Sequence, residues 1–591
     1  MKSIKLSLFF LLVIFAIFTA CGKPSVEAKG SGDFYEEISR LNKVISEINL
    51  KYVEDVDPSE ITEAAITGIR SVLDPNTAVL DPKASDNLKL ATEGEYGGIG
   101  ITIGIRDNML TVISPMAGTP AFNLGIMAGD RITHINSKPT KDLTIDEAVE
   151  RLRGKVGTDV TITIAREGAG TPFDITITRA KIVVHAVPYA GMLDKDIGYI
   201  WLATFSLKTA NELEEAIGKL KKQGMKKLVL DLRSNPGGLL NQAVEVSELF
   251  LKKGNRIVSA KGNVINSDHI ASRNGIISED MQIAVLVNQG TASAAEIVAG
   301  ALQDHDKAIV VGRTTFGKGS VQTIFPLDHE GRALKLTTAF YYLPFGRCIS
   351  KPEQGIKGHG LRNKAQAEDS EDSESVAKDT AVRDTQVYYT SGGRKMYGGG
   401  GITPDVDIES KAVPWIAHVK ERMSLYFRFA VKYRSQIGDA AAKIDSTWQV
   451  PDSLFAMFQA FAAADTNFTK LKSPSQLEID KFEEMQIKEQ NILSGDSSKV
   501  LKDSLIVAAI AHMRLALEKQ TEAQTLEIKN YSLNAIKREL ITASQGEEAR
   551  TAWMLRDDLQ LKEALKYLRN DALYKNKMKA PPKEVKKTVK K

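Results

Sequence analysis

Between Ile197 and Leu327 short apolar runs take turns with helix-patterned stretches. In order they read "IGYIWLATF", "NELEEAIGKLKKQG", "KLVLDLRSNPGG", a helical pattern reaching Phe250, "IAVLVNQG", "TASAAEIVAGALQD" and "AIVVGRTTFGKGSVQTIFPL". Strands alternating with helices predict an α/β core built on one mainly parallel sheet. Such sheets place their sites in the loops after strand carboxyl ends. Three loops here qualify: "DLRSNPGG", "NQGTAS" and "GRTTFGKG".

The rest of the chain is too long to belong to that core. At 591 residues the length prior gives roughly three to five domains. A formal net charge of +4 is small for this size, and much of the excess lies in the terminal "KNKMKAPPKEVKKTVKK", so nucleic acid is not implied as a partner.

The N-terminus, "MKSIKLSLFFLLVIFAIFTAC", sets Lys2 and Lys5 before an apolar run from Leu6 to Phe18, the pattern of a secretion signal covering residues 1–20. "FTAC" resembles the lipobox of bacterial lipoproteins, with Phe18 standing where leucine is usual. That resemblance implies a lipid on Cys21, membrane attachment through it, and a place in the bacterial cell envelope, facing the periplasm. Only one other cysteine, Cys348, is present, so no disulfide framework is expected.

After a polar linker (21–33), residues 34–84 carry apolar positions at helical spacing and predict two helices, broken at "EDVDPSE". Residues 85–180 hold short alternating strands such as "VTITIA", a Gly-punctuated turn at Ala128 to Asp130, and a helix over Thr144 to Arg153. This segment resembles a PDZ domain. The resemblance implies that Gly98, Ile99, Gly100 and Ile101 form the loop that captures a peptide's terminal carboxylate while the peptide adds a strand to the sheet edge. Within the core segment, 181–412, an acidic Ser-rich stretch at about 364–385 reads as a solvated loop. Residues 413–575 are helix-compatible, and 576–591 form the Lys-rich tail.

Ser293, Ala294, Ala295 and Glu296 spell the capping box S-x-x-E, which fully accounts for a serine at a helix start. The same place, with free N–H groups and positive dipole, would stabilise an oxyanion formed by attack of that serine. A serine needs a base, and a neutral lysine can serve if burial lowers its pKa from about 10.4. Lys318 in "FGKGSV" has the small and apolar neighbours that allow it. A competing reading takes "GRTTFGK" as a P-loop. Gly319 stands where Ser or Thr should hold magnesium, however, and "SVQTIFPL" does not read as the required helix. His305 has no spaced His or Cys partner, so no metal site and no cofactor are expected.

Taken in order, the helical lead ending in "LDP", the PDZ-like insert, "IGYI", "DLRSNPGG", "TASAAEIVAGALQD", "VVGRTTFGKGSVQ" and "GGGGITPDV" resemble the carboxyl-terminal processing peptidases, or tail-specific proteases. The resemblance covers about Phe34 to Asp407 and implies a crotonase-like or ClpP-like α/β catalytic core. It also implies that Ser293 is a nucleophile, Lys318 its base and Gln322 the residue orienting that base, with an oxyanion hole made by Ala294 and the Gly237-Gly238 turn. Thr291 and the pair Asn76-Thr77 depart from the family's usual residues without removing a catalytic group. The implied partners are proteins or peptides with free apolar C-termini. Terminal helices offer surfaces for a homodimer or an adaptor, or simply pack on their own domain. A catalytically inert PDZ scaffold is the alternative function.

Overall fold

The structure, a computed structural model, describes residues 31–351, 386–409, 413–451, 453–494, 501 and 503–579. The signal segment, Cys21, the acidic stretch and the tail beyond 579 lie outside them. The chain divides into two units, residues 1–79 and 80–591. The first holds α1 (Ser31–Lys51) and α2 (Pro58–Ser71), separated where expected. Asp57 caps α2 by accepting the Ser59 N–H at 2.8 Å, and Pro58 supplies a first helical position that needs no donor.

The second unit opens with α3 (Pro82–Glu93), ended by Gly94 in the left-handed region. β1 (Glu95–Gly98) pairs with β7 (Ala180–Val183), so the two ends of the small β domain close on each other. Between them β2 (Ile101–Arg106), β3 (Met109–Pro115), β4 (Arg131–Ile135), β5 (Asp159–Ala165) and β6 (Phe173–Thr178) form an antiparallel sheet in chain order, with β2 at its edge. The helix α4 (Ile145–Leu152) starts at a full Thr144/Glu147 capping box and buries Ala148 and Leu152 against Ile99, Ile132, Ile162 and Ile164.

The main sheet runs β8 (Tyr189–Met192), β9 (Ile197–Trp201), β10 (Lys227–Asp231), β13 (Gln282–Val287), β14 (Ile309–Gly312) and β17 (Val406–Asp407). All neighbours are parallel except β8 and β9. One face carries Leu228, Leu230, Ile283, Val285 and Val310 and packs on α5 (Thr209–Lys222), α6 (Leu240–Glu248) and α7 (Ala294–Asp304). The alternate residues Tyr199, Val229, Leu286 and Val311 point the other way, and a run such as "KLVLD" needs cover there too.

That cover comes from the far end of the chain. In α14 (Leu559–Leu568) and α15 (Asp571–Lys577), Leu561, Ala564, Leu568 and Tyr574 pack on the second face. The sheet is therefore completed by residues 559–577, and the region beyond 412 is not wholly separate from the core. The helices before them, α8 (Trp415–Arg422), α9 (Leu425–Ile437), α10 (Ser453–Ala463), α11 (Pro474–Ser494), α12 (Ser504–Glu527) and α13 (Lys529–Met554), build their own core around Tyr426, Phe429, Phe458 and Leu540. They also lean on the β domain: Arg428 pairs with Asp107 at 2.9 Å.

A second, antiparallel sheet holds β11 (Arg256–Lys261), β12 (Asn266–Ile270) and the hairpin of β15 (Ser320–Pro326) and β16 (Ala333–Tyr342). Among the described residues no helix is long and apolar enough to cross a membrane.

Candidate active site

The three loops foreseen at strand ends meet around one cleft of about 710 Å³, lined by Ser293, Ala294, Lys318, Gln322, Gly237 and Gly238 among others. Ser293 joins the loop after β13 to α7 with φ 55° and ψ −119°, a conformation that costs a non-glycine residue about 1–3 kcal/mol. Every residue of α7 is buried, which holds that turn in place.

The Glu296 half of the expected capping box is formed, since its carboxylate accepts the Ser293 N–H at 2.8 Å. The sequence did not reveal what else it does. Fully buried, it also accepts the Thr315 hydroxyl, the Gly317 N–H at 2.8 Å and the Lys318 N–H at 2.9 Å. Burial pushes its pKa up, and the four donors pull against that rise. A second tie runs from Phe316 N–H to the Thr291 carbonyl at 3.0 Å. Lys318 leads into strand β15 rather than a helix, which removes the P-loop reading.

Gln322 lies at a bulge in the β15–β16 hairpin, where the register shifts between Val321 and Gln322. Bulges re-aim side chains. Here the amide reaches Ser320 Oγ at 2.8 Å and Thr337 Oγ1 at 3.4 Å on the cleft wall. From the opposite strand the buried Tyr341 donates to the Lys318 carbonyl and lines the cleft with Ser293.

The two glycines of the "NPGG" turn differ in role. Gly237 donates its N–H to Asn235 Oδ1 at 2.8 Å, so it has none to offer the cleft, contrary to its expected place in the oxyanion hole. The N–H groups of Gly238 and Ala294 have no hydrogen-bond partner among the described residues. A Cβ on Gly238 (φ 146°) would lie 2.2 Å from the Phe205 carbonyl oxygen. One on Gly237 (φ 93°) would lie 2.7 Å from that of Ala292. Neither position tolerates a side chain.

Two family descriptions match this chain: peptidase family S41 over residues 196–359 and the PDZ domain over residues 111–166. The chain is 42% identical over 337 residues to a carboxy-terminal-processing protease of Bartonella bacilliformis, spanning 56% of this chain and 76% of that one. The chain belongs to peptidase family S41. The carboxy-terminal processing protease CtpA of Bacillus subtilis is 36% identical over 363 residues, covering 60% of this chain and 76% of its own. Among solved structures, a photosystem II D1 C-terminal processing protease matches with 28% identity and a TM-score of 0.33. It covers 53% of this chain and 84% of that one.

In the S41 chain's PDZ domain, Gly98 ends β1 and Ile101 begins the edge strand β2, beside which α4 packs. An open edge strand next to a helix is what a strand-adding peptide requires. Gly100 adopts φ 80°, and its carbonyl accepts from Met116 N at 2.9 Å and Thr119 Oγ1 at 3.0 Å. In the loop expected to capture a carboxylate, the Ile99 side chain is 2% exposed within the domain core and its carbonyl accepts the Ala121 N–H at 3.0 Å, so neither is available to a ligand.

The S41 cleft also has a wall no motif announced. Ser85, Leu88 and Thr92 of α3 face it, as does Lys335 of the hairpin. The lone signal for the wall was the helical pattern after "LDP", which says nothing about what the helix covers.

Proposed function

We propose that this chain is an exported serine endopeptidase, held to a bacterial membrane by a lipid on Cys21, that takes hold of protein C-termini through its PDZ domain and cleaves inward of them. The observation that carries the chemistry is the convergence of Ser293, Lys318 and two unpartnered N–H groups on one cleft, with Glu296 tying the nucleophile's backbone to the base's. Ser293 Oγ attacks the scissile carbonyl while the neutral Lys318 amine takes its proton. The tetrahedral oxyanion receives the N–H groups of Gly238 and Ala294. Collapse expels the amine, which takes the proton back from Lys318, and water then hydrolyses the acyl-enzyme by the same exchange in reverse. Gln322 steadies the lysine from the hairpin.

The deciding experiment compares wild type with Ser293→Ala and Lys318→Ala on an unstructured reporter ending in apolar residues. Cleavage by wild type alone supports the peptidase. Cleavage surviving Ser293→Ala would give the role to another nucleophile, and peptide binding without cleavage by any of the three would favour the inert scaffold. Amidating the reporter's C-terminus should slow wild type if PDZ capture of the carboxylate comes first. Globomycin-type inhibition of lipoprotein processing should block maturation at Cys21.

A further inference from the structure

The "DLRSNPGG" loop lines the cleft with Pro236, Gly237 and Gly238, while its Arg233 reaches the opposite way. Arg233 Nε lies 3.0 Å from both carboxylate oxygens of Asp231, while its Nη1 reaches Asp558 Oδ2 at 2.6 Å and Gln560 Oε1 at 3.2 Å. Asp231 in turn accepts the Tyr199 hydroxyl at 2.7 Å. Asp558 is the N-cap of α14, with Oδ1 accepting the Leu561 N–H at 2.9 Å, so one carboxylate both starts the C-terminal helix and grips the loop.

From Arg233 the loop runs through positions with little freedom to spare. Ser234 sits at φ 55° with its N–H on Asn288 Oδ1 at 2.8 Å. The buried Asn235 holds Leu202 O at 2.7 Å, and its carbonyl takes the Ala292 N–H at 2.9 Å. Gly237 and Gly238 follow. A loop with three residues in the left-handed region keeps that shape only if its surroundings impose it.

We propose that Asp558 is a positioning residue. By clamping Arg233 it fixes the loop that presents the Gly238 N–H, so that the C-terminal helices are a working part of the catalytic centre. This rests on the Ser–Lys reading above. Asp558 touches no reacting atom, and its effect is on how well the donor is aimed.

Asp558→Asn and Asp558→Ser test it, because both residues cap helices well while neither supplies the charge that ties Arg233 Nη1 to α14; Asp231 keeps its own hold on the guanidinium within the loop. In the full chain, kcat on the reporter should fall between about tenfold and about 100-fold with KM within about twofold, since a misaimed group costs rate rather than binding. Amide hydrogen exchange at residues 233–239 should quicken in both variants while α7 and the main sheet keep wild-type protection. Unchanged kcat with unchanged exchange overturns the proposal. So does faster exchange throughout the molecule, which would make Asp558 a stability residue only. If wild type itself cuts no reporter, the peptidase reading has failed separately and the exchange at 233–239 alone decides the clamp.

Discussion

Ser293 and Lys318, 25 positions apart in sequence, donate their backbone N–H groups to the same oxygen, Glu296 Oε2, at 2.8 and 2.9 Å. The proposed nucleophile on a helix start and the proposed base on a strand lead-in are thereby fixed to one buried atom. The other oxygen holds the Gly317 N–H and the Thr315 hydroxyl, so the carboxylate has no unused acceptor position facing the loop. Glu296 thereby fixes the backbones of the two residues relative to each other.

Glu296→Gln should therefore be far more harmful than its size suggests. The amide NH₂ must confront either the Ser293/Lys318 pair or the Gly317 N–H, and a backbone donor cannot turn away. We expect kcat/KM to fall by about 10²-fold, the cost of roughly 1 Å of misplacement. Loss of about 1–3 kcal/mol of stability should accompany it from the unsatisfied buried groups. Steady-state kinetics and urea unfolding measure the two effects.

Gly238→Ala should slow turnover severely even though it adds one methyl group. The new Cβ would meet the Phe205 carbonyl oxygen at 2.2 Å, so the loop must move and take its N–H with it. Loss of one oxyanion donor costs about 10²–10³ in kcat. Acylation measured in single turnover should drop by that factor, while binding of an inactive peptide to the PDZ domain should be unaffected.

Tyr341→Phe removes the hydroxyl that holds the Lys318 carbonyl on the cleft wall. The ring stays buried and the core stays filled, so a loss of about tenfold in kcat with little change in KM is expected, the worth of one hydrogen bond. A change confined to KM would place Tyr341 outside the catalytic group.

The alternation of strands and helices and the three loops at strand ends were legible because periodicity and Gly/Pro punctuation are local signals. So was Ser293, whose S-x-x-E context sits in four consecutive residues. Glu296 was legible only as a cap, since its other three donors lie on a loop about twenty residues further along. Tyr341 and Asp558 carried no local signal at all: a tyrosine in "TTAFYY" reads as strand, and an aspartate before "LQLKEALKYL" reads as a helix cap, which it is. The second face of the sheet shows the same limit. Val229 and Leu286 demanded a cover, but nothing in their neighbourhood named α14 and α15 as its source.

Lys420 gives a stability prediction that pH can turn on and off. It is 3% exposed, lies 5.5 Å from the Phe458 ring and 5.8 Å from that of Phe468, and has no ion pair among the described residues. Burial lowers its pKa from 10.5 to about 8. Between those two values the unfolded chain holds a proton that the folded chain has released, so stability rises with pH across that window. Below about 8 the folded state keeps a buried charge at a constant penalty. Lys420→Met should remove that penalty and stabilise the protein by at most about 3.5 kcal/mol at pH 7, a shift of one pKa unit being worth about 1.4 kcal/mol. The gain should shrink as pH rises and vanish above 10.5, where the lysine loses its charge in the unfolded state too. Denaturant unfolding of both proteins at pH 7 and pH 10 measures the difference. An equal gain at both values would trace it to packing rather than to charge.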